Sequence, residues 1–382
     1  MGPLQGLKIV ELAGIGPGPM AAMLLADMGA TILRIDRQTP VDLGNPRPLK
    51  FNSMMRNRMS IALDLKTASG VELALELIAQ ADALIEGFRP GVTERMGLGP
   101  DVCLARNERL VYGRITGWGQ TGPLAPAAGH DINYIAITGA LHAIGRKGQP
   151  PTPPLNLVGD YAGGSLYLAL GLLAAIIEAK SSGKGQVVDS AIVDGVTSLM
   201  SYVYGLYAGD SWNLERGTNR TDSGAPFYGV YECADGEWIS IAPIERRFFA
   251  ELLKLLEIDP AEVGDQRERA DWPKASAAFE RVFKTRTRDE WCALLEGTDS
   301  CFAPVLSVAE APQHPHMAAR HALVDVGGVL QPAPAPRFSR TASDAPKPAA
   351  EINAKNTDAA LANWLSADAV AKWRSKGVFG AE

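Results

Sequence analysis

The feature that most restricts the fold is an alternation of strand-like and helix-like segments that starts at residue 7. LKIVEL reads as a strand, GIGPGP as a tight turn, PMAAMLLADMGA as a helix and TILRID as a second strand. A strand, a helix and a further strand in close succession build parallel sheet, because parallel neighbours need a crossover between them. An irregular stretch follows at 37–59, rich in Pro, Asn and Arg, and then the alternation resumes. VELALELIAQ is helical, ADALIEGF and LVYGRITG are strands, and RPGV is a turn. The expected class is α/β: a large domain with a mostly parallel, Rossmann-like sheet flanked by helices.

The 382 residues leave room for a second domain. After Gly122 the chain is rich in Pro and Gly and reads as loop until Gly164. The apolar helix SLYLALGLLAAIIEA follows, ended by Ser-Ser-Gly-Lys-Gly. From about Thr221 the texture changes. APFYGVYECADGEWISIAPI has the pattern of an antiparallel hairpin turning at Ala-Asp-Gly, with amphipathic helices after it. The expected layout is a large domain at 1–190, a linker at 191–221, a smaller α+β domain at 222–300 and a linker at 301–324. A C-terminal segment, 325–382, returns to the large domain after a Pro-rich tether around 331–347.

Charge and composition remove several function classes. A formal net charge of −6 offers no excess of cations to displace phosphate counterions, so no nucleic-acid partner is expected. The four cysteines form no C-x-x-C pair, which suits a reducing compartment. The histidines form no H-E-x-x-H pattern, and His314 and His316 merely flank a proline, so no metal is expected. Glu11, Asp27 and several prolines interrupt any signal-peptide core. The most apolar run, Leu166–Ile177, falls short of the roughly 20 residues of a membrane span. The closing Phe-Gly-Ala-Glu is not a peroxisomal address. The expectation is a soluble, cytoplasmic protein without a membrane partner.

The glycine turn after the first strand, with Asp36 ending the second, invites a dinucleotide-binding reading. The pattern is broken. Gly14 and Gly16 match its first two glycines, but Pro19 stands at the third, and Pro17 and Pro19 lack the amide hydrogens a phosphate would use. A tight turn in a doubly wound sheet accounts for the segment without a nicotinamide cofactor.

Three clusters carry candidate chemistry: GWGQTGP at 117–123, AGHDINY at 128–134 and LNLVGDYAGGS at 155–165. The second sets His130 beside Asp131 ahead of a helix, and the third sets Asp160 in a glycine turn ahead of the apolar helix. A histidine titrates near neutrality and serves as base or acid. A carboxyl group at a helix start adjoins backbone N–H groups able to stabilise an enolate oxygen. Inverting a carbon centre needs a base on one face and an acid on the other, which a His and a carboxyl in opposite protonation states supply.

With these residues in place, the chain resembles the α-methylacyl-CoA racemases, within the wider family of class III CoA-transferases. The resemblance runs through LQGLKIVELAGIGPGPMAAMLLADMGA, LDLK, GFRPGV, ITGWGQTGP, AGHDINY, LNLVGD, SSGKGQVVD and YECADG, and is loose only over the last sixty residues or so. Several of those strings are superfamily-wide and bear on fold and CoA use; AGHDINY, GDYAGG and the Glu of APIE are specific to racemases. The resemblance implies that His130 and Asp160 are the acid/base pair, with Glu245 hydrogen-bonding the His130 ring. It implies an interlocked homodimer in which Glu245 arrives from the partner. It places Arg37 and Arg89 near the CoA phosphates and Ile15 near the bound CoA moiety. Asp131, Tyr134 and Asn156 are candidates for support. CoA enters as part of the substrate, so no separate cofactor is expected. The alternative is a CoA-transferase with Asp160 as nucleophile. An NAD-dependent oxidoreductase and an inactive binding subunit are weaker readings, the first undercut by the glycine pattern and the second by the intact acid/base candidates.

Overall fold

The structure, a computed structural model, describes residues 2–39 and 47–379; the irregular stretch read at 37–59 therefore lies partly outside the described residues. The chain divides into two compact units. One holds Met1–Thr138, Leu155–Leu199 and His321–Glu382; the other holds Gly139–Pro154 and Met200–Arg320.

The first unit is built on six parallel strands: β1 (Lys8–Leu12), β2 (Thr31–Arg37), β3 (Met59–Leu63), β4 (Ala83–Glu86), β5 (Val111–Thr116) and β6 (Gln186–Ala191). Their order across the sheet is β3-β2-β1-β4-β5-β6. β1, β2, β4 and β5 are buried along most of their length, as expected of a sheet covered on both faces. The order reverses between β1 and β4, and the carboxyl ends of strands at such a switch point open a crevice that suits ligands. Helix α1 (Pro17–Asp27) leaves that crevice directly after β1, with Pro17 at its first position, where a missing N–H costs nothing.

One side of the sheet packs on a core that includes Leu33, Leu73, Leu84 and Tyr112. The C-terminal helices Ala354–Leu361 and Ala367–Ser375 complete it with Leu361, Trp364 and Trp373. Leu361 is fully buried. Leu361→Ala is expected to destabilise the protein by about 3 kcal/mol through the cavity left behind, read as a lower urea midpoint.

Three expectations need correction here. The apolar helix was read as starting after Gly164, but it runs from Leu157 to Ser182, its first ten residues wound as a π-helix. At 26 residues it is long and apolar enough to span a membrane, so the argument from length fails; half of its most apolar window is buried within the fold. Residues 191–221, expected as a linker, carry helices Ile192–Leu199 and Ser201–Ala208. The stretch 139–154, assigned with the large domain, clusters with the second unit. Arg216 holds it there, donating to the carbonyls of His142 at 2.6 Å and Gln149 at 2.8 Å.

In the second unit the expected hairpin forms from β7 (Gly229–Glu232) and β8 (Trp238–Ile241). A third strand, β9 (Phe302–Pro304), pairs antiparallel with β8 inside a segment read as linker. Amphipathic helices Arg246–Leu255, Trp272–Phe283 and Arg288–Leu295 close an aromatic core around Phe227, Phe279 and Trp291.

Candidate active site

Two cavities open at the carboxyl ends of the sheet and meet at Leu12 and Phe88. The first, about 430 Å³, lies over β1, β4 and β5 and is lined by Ile15, Arg89, His130, Tyr134 and Asp160, among others. The second, about 490 Å³, lies over β2 and β3 and is lined by Asp36, Arg37, Lys66 and Met96. Arg37 lies over the Phe88 ring, 5.7 Å from its centroid, so one aromatic side chain stands between the two spaces.

His130 is the residue immediately before the helix Asp131–Ile137, and its extended backbone donates its amide to Asn133 Oδ1 at 3.1 Å. Its side chain is exposed. Asp160 lies in the opening turns of the Leu157–Ser182 helix and is half-buried. Burial raises its proton affinity, the long 3.4 Å contact from Asn156 Nδ2 opposes this, neighbouring Asp131 adds to it, and His130 lowers it. Gly16, at φ +67, presses on the carboxyl from α1: a Cβ there would sit 3.3 Å from Asp160 Oδ2. The sequence showed Gly16 only as part of a broken dinucleotide pattern, with nothing to say which side chain it accommodates.

The glycines around Asp160 do not make the expected turn. None of Gly159, Gly163 and Gly164 has a positive φ. They are small because other elements approach them: Asp131 at Gly159, Val196 at Gly163, and Ile192 and Pro17 at Gly164. The enolate donors also need correction. The amide of Asp160 is already engaged, donating to Asp131 Oδ2 at 2.6 Å, and that of Gly159 is turned to the same carboxylate.

Tyr134 stands on the His130 side of the cavity. Its hydroxyl donates to the Gly129 carbonyl, and its ring meets Trp118 edge-on at 4.8 Å between centroids. Burial first, then the nearby Asp160 carboxyl, push its phenol up to about 12, so it stays protonated as a hydrogen-bond donor. Trp118 was visible only as the aromatic of a glycine-rich turn. Glu245 does not join these residues within the first unit. It lies in the second, exposed, at the start of helix Arg246–Leu255, and makes no capping hydrogen bond. Among the described residues, no three of His, Cys, Asp and Glu gather closely enough to hold a metal ion.

The sequence profile described as CoA-transferase family III matches residues 4–356. The chain belongs to that family. Among curated relatives, it is 44% identical to an alpha-methylacyl-CoA racemase of Mus musculus, over 88% of this chain and 87% of that one. It is 40% identical to the Homo sapiens protein of the same name, over the same shares of the two chains. Among solved structures, a CAIB/BAIF family protein from Brucella suis superposes with a TM-score of 0.81 at 27% identity, covering 95% of this chain and all of that one, 100%.

Proposed function

We propose that the protein is a 2-methylacyl-CoA racemase, interconverting (R)- and (S)-thioesters by 1,1-proton transfer through an enolate. The observation that carries this reading is the pairing of His130 with a half-buried Asp160 of raised proton affinity in one cavity. Identity to the racemases named above supports it. The reaction needs no separate cofactor in this reading, since a base and an acid suffice to move one proton.

In one direction His130 takes the α-proton while Asp160, in its protonated form, protonates the opposite face. In the other direction the roles exchange. In the helix Asp131–Ile137 the Asn133 and Tyr134 amides donate to the His130 carbonyl, at 2.8 and 3.3 Å, which leaves the amides of Asp131 and Ile132 next to His130. They replace those of Gly159 and Asp160 as the donors assigned to the enolate oxygen. Ile15 and Arg89 border the reacting cavity, and Arg37 its neighbour. The CoA moiety is placed across the two, its phosphates paired with the guanidinium forks. Arg89→Met is expected to raise KM about tenfold and leave kcat within about threefold, as loss of one charge-assisted contact made equally in ground and transition state.

The protein is proposed to act as a homodimer, with Glu245 of one copy holding the His130 ring of the other. Supporting this, Leu157, Leu166, Leu170 and Ile177 leave an apolar surface exposed along a single helix. A cytoplasmic location is proposed on the same footing as the soluble α/β fold.

A CoA-transferase would use Asp160 as an anionic nucleophile. His130 in the same cavity favours the two-base reading, because a transferase has no evident need for a second acid/base group there. The test is α-proton exchange: one enantiomer of a 2-methylacyl-CoA in deuterated water, without acceptor acid. Deuterium uptake with loss of optical purity is the expected result. Transfer of CoA to an added carboxylic acid, with no exchange, would overturn it.

A further inference from the structure

We propose that Asp131 is a positioning residue, a carboxylate that fastens the segment bearing Asp160 to the segment bearing His130 and sets the polarity Asp160 experiences. The inference rests on the two-base reading above and goes beyond it, because Asp131 does not line the reacting cavity.

The geometry is that of a clamp. Asp131 follows His130 directly and opens the helix Asp131–Ile137. Its side chain is turned inward, with 6% of the residue exposed, and Oδ2 accepts the Asp160 amide at 2.6 Å. The Gly159 amide faces the same group, and residue 159 has no side chain where a Cβ would overlap Oδ2. One carboxylate thus ties the backbone of one acid/base residue to the chain neighbour of the other. A shift of an ångström in such a pair is enough to misalign a proton transfer.

The second observation is the other oxygen. Asp131 Oδ1 is buried and has no hydrogen-bond partner among the described residues. A clamp that served only to cap the Leu157–Ser182 helix would be as well made by a neutral Asn or Ser. A buried carboxylate with one oxygen unsatisfied is a costly way to do it. What the carboxylate adds is negative charge beside Asp160. The groups acting on Asp160 are Asn156 at the start of its own helix, and Asp131 and His130 across from it. Tyr134 faces Asp160 too and is itself under the influence of Arg89. After burial, which comes first, Asp131 is the one of these that raises the proton affinity of Asp160, and burial raises that of Asp131 itself.

The experiment uses the full chain with Asp131→Asn, Asp131→Ala and Gly159→Ala, beside His130→Ala and Asp160→Ala. Deuterium uptake into a 2-methylacyl-CoA is followed from pH 5 to 9, and folding by circular dichroism. Asp131→Ala is expected to lower kcat about 100-fold with KM within about threefold. Asp131→Asn keeps an acceptor and recovers about tenfold of that loss, while its pH–rate profile moves toward lower pH because a neighbouring negative charge is gone. Gly159→Ala displaces the carboxylate without removing it and lowers kcat about as far as Asp131→Ala. It also keeps the test in force should Asp131→Ala fail to fold. Folded Asp131 and Gly159 variants with kcat within threefold of wild type, or an Asp131→Asn profile that stays in place, overturn the assignment. If His130→Ala and Asp160→Ala racemise as fast as wild type, read as loss of optical purity, the two-base reading falls and this inference with it. If they no longer racemise while the Asp131 and Gly159 variants still do, only the clamp falls.

Discussion

Asp160→Asn is expected to lower kcat for racemisation by about 10³-fold while leaving KM within a few-fold, because a positioned acid/base contributes about 10²–10⁴ to such a step. Asn matches the carboxyl in shape and cannot donate or accept the migrating proton. The binding surface, which includes Arg89 and Ile15, is untouched. The measurement is the initial rate of optical inversion, with KM taken from the same curves. A kcat within tenfold of wild type would remove Asp160 from the chemistry.

The same variant is expected to melt a few degrees higher at neutral pH. Burial and Asp131 raise the proton affinity of Asp160 in the folded chain above its unfolded value. A carboxyl raised in this way contributes stability that is complete below its unfolded pKa, about 4. That contribution is lost as pH rises through the folded value. Asn carries no such penalty, so its advantage should be present at pH 7 and shrink as pH falls toward 4. Melting curves at several pH values separate this from a general stabilisation, which would persist at acid pH.

What was legible in the sequence was what local pattern encodes. Four of the six strands, β1, β2, β4 and β5, were legible from their apolar residues and their alternation with helices, whereas β3 and β6 were not read: β6, QVVDSA, is polar and largely exposed. The hairpin β7–β8 is legible from its turn. The residues at the site were also legible as types: His130 ahead of a helix, Asp160 among glycines. What those glycines do was not. Gly159, Gly163 and Gly164 look like a turn in one dimension, yet each answers to a partner distant in the chain, Asp131, Val196 and Ile192 respectively. Glycine meets both needs with the same single letter. The same limit hid β9, whose three residues, Phe302–Pro304, owe their strand geometry to β8 rather than to any periodicity of their own. It hid the bonding of the Asp160 amide as well, since a helix-start amide looks free until a carboxylate 29 residues away is found to hold it.

A stricter expectation concerns His130. If two bases flank the α-carbon, each faces the hydrogen of one enantiomer. In His130→Gln, Asp160 can still remove the proton it faces and return deuterium to that same face, although no group remains to complete the inversion. Racemisation should therefore fall about 10³-fold, while one enantiomer, and only one, goes on exchanging its α-proton with retention. Asp160→Asn should show the mirror behaviour with the other enantiomer. Deuterium uptake measured separately for each antipode reads this directly. Loss of exchange with both antipodes in both variants would point to a single base or to a shared intermediate step. That result would contradict an assignment in which His130 and Asp160 line one cavity as independent, opposed acid/base groups.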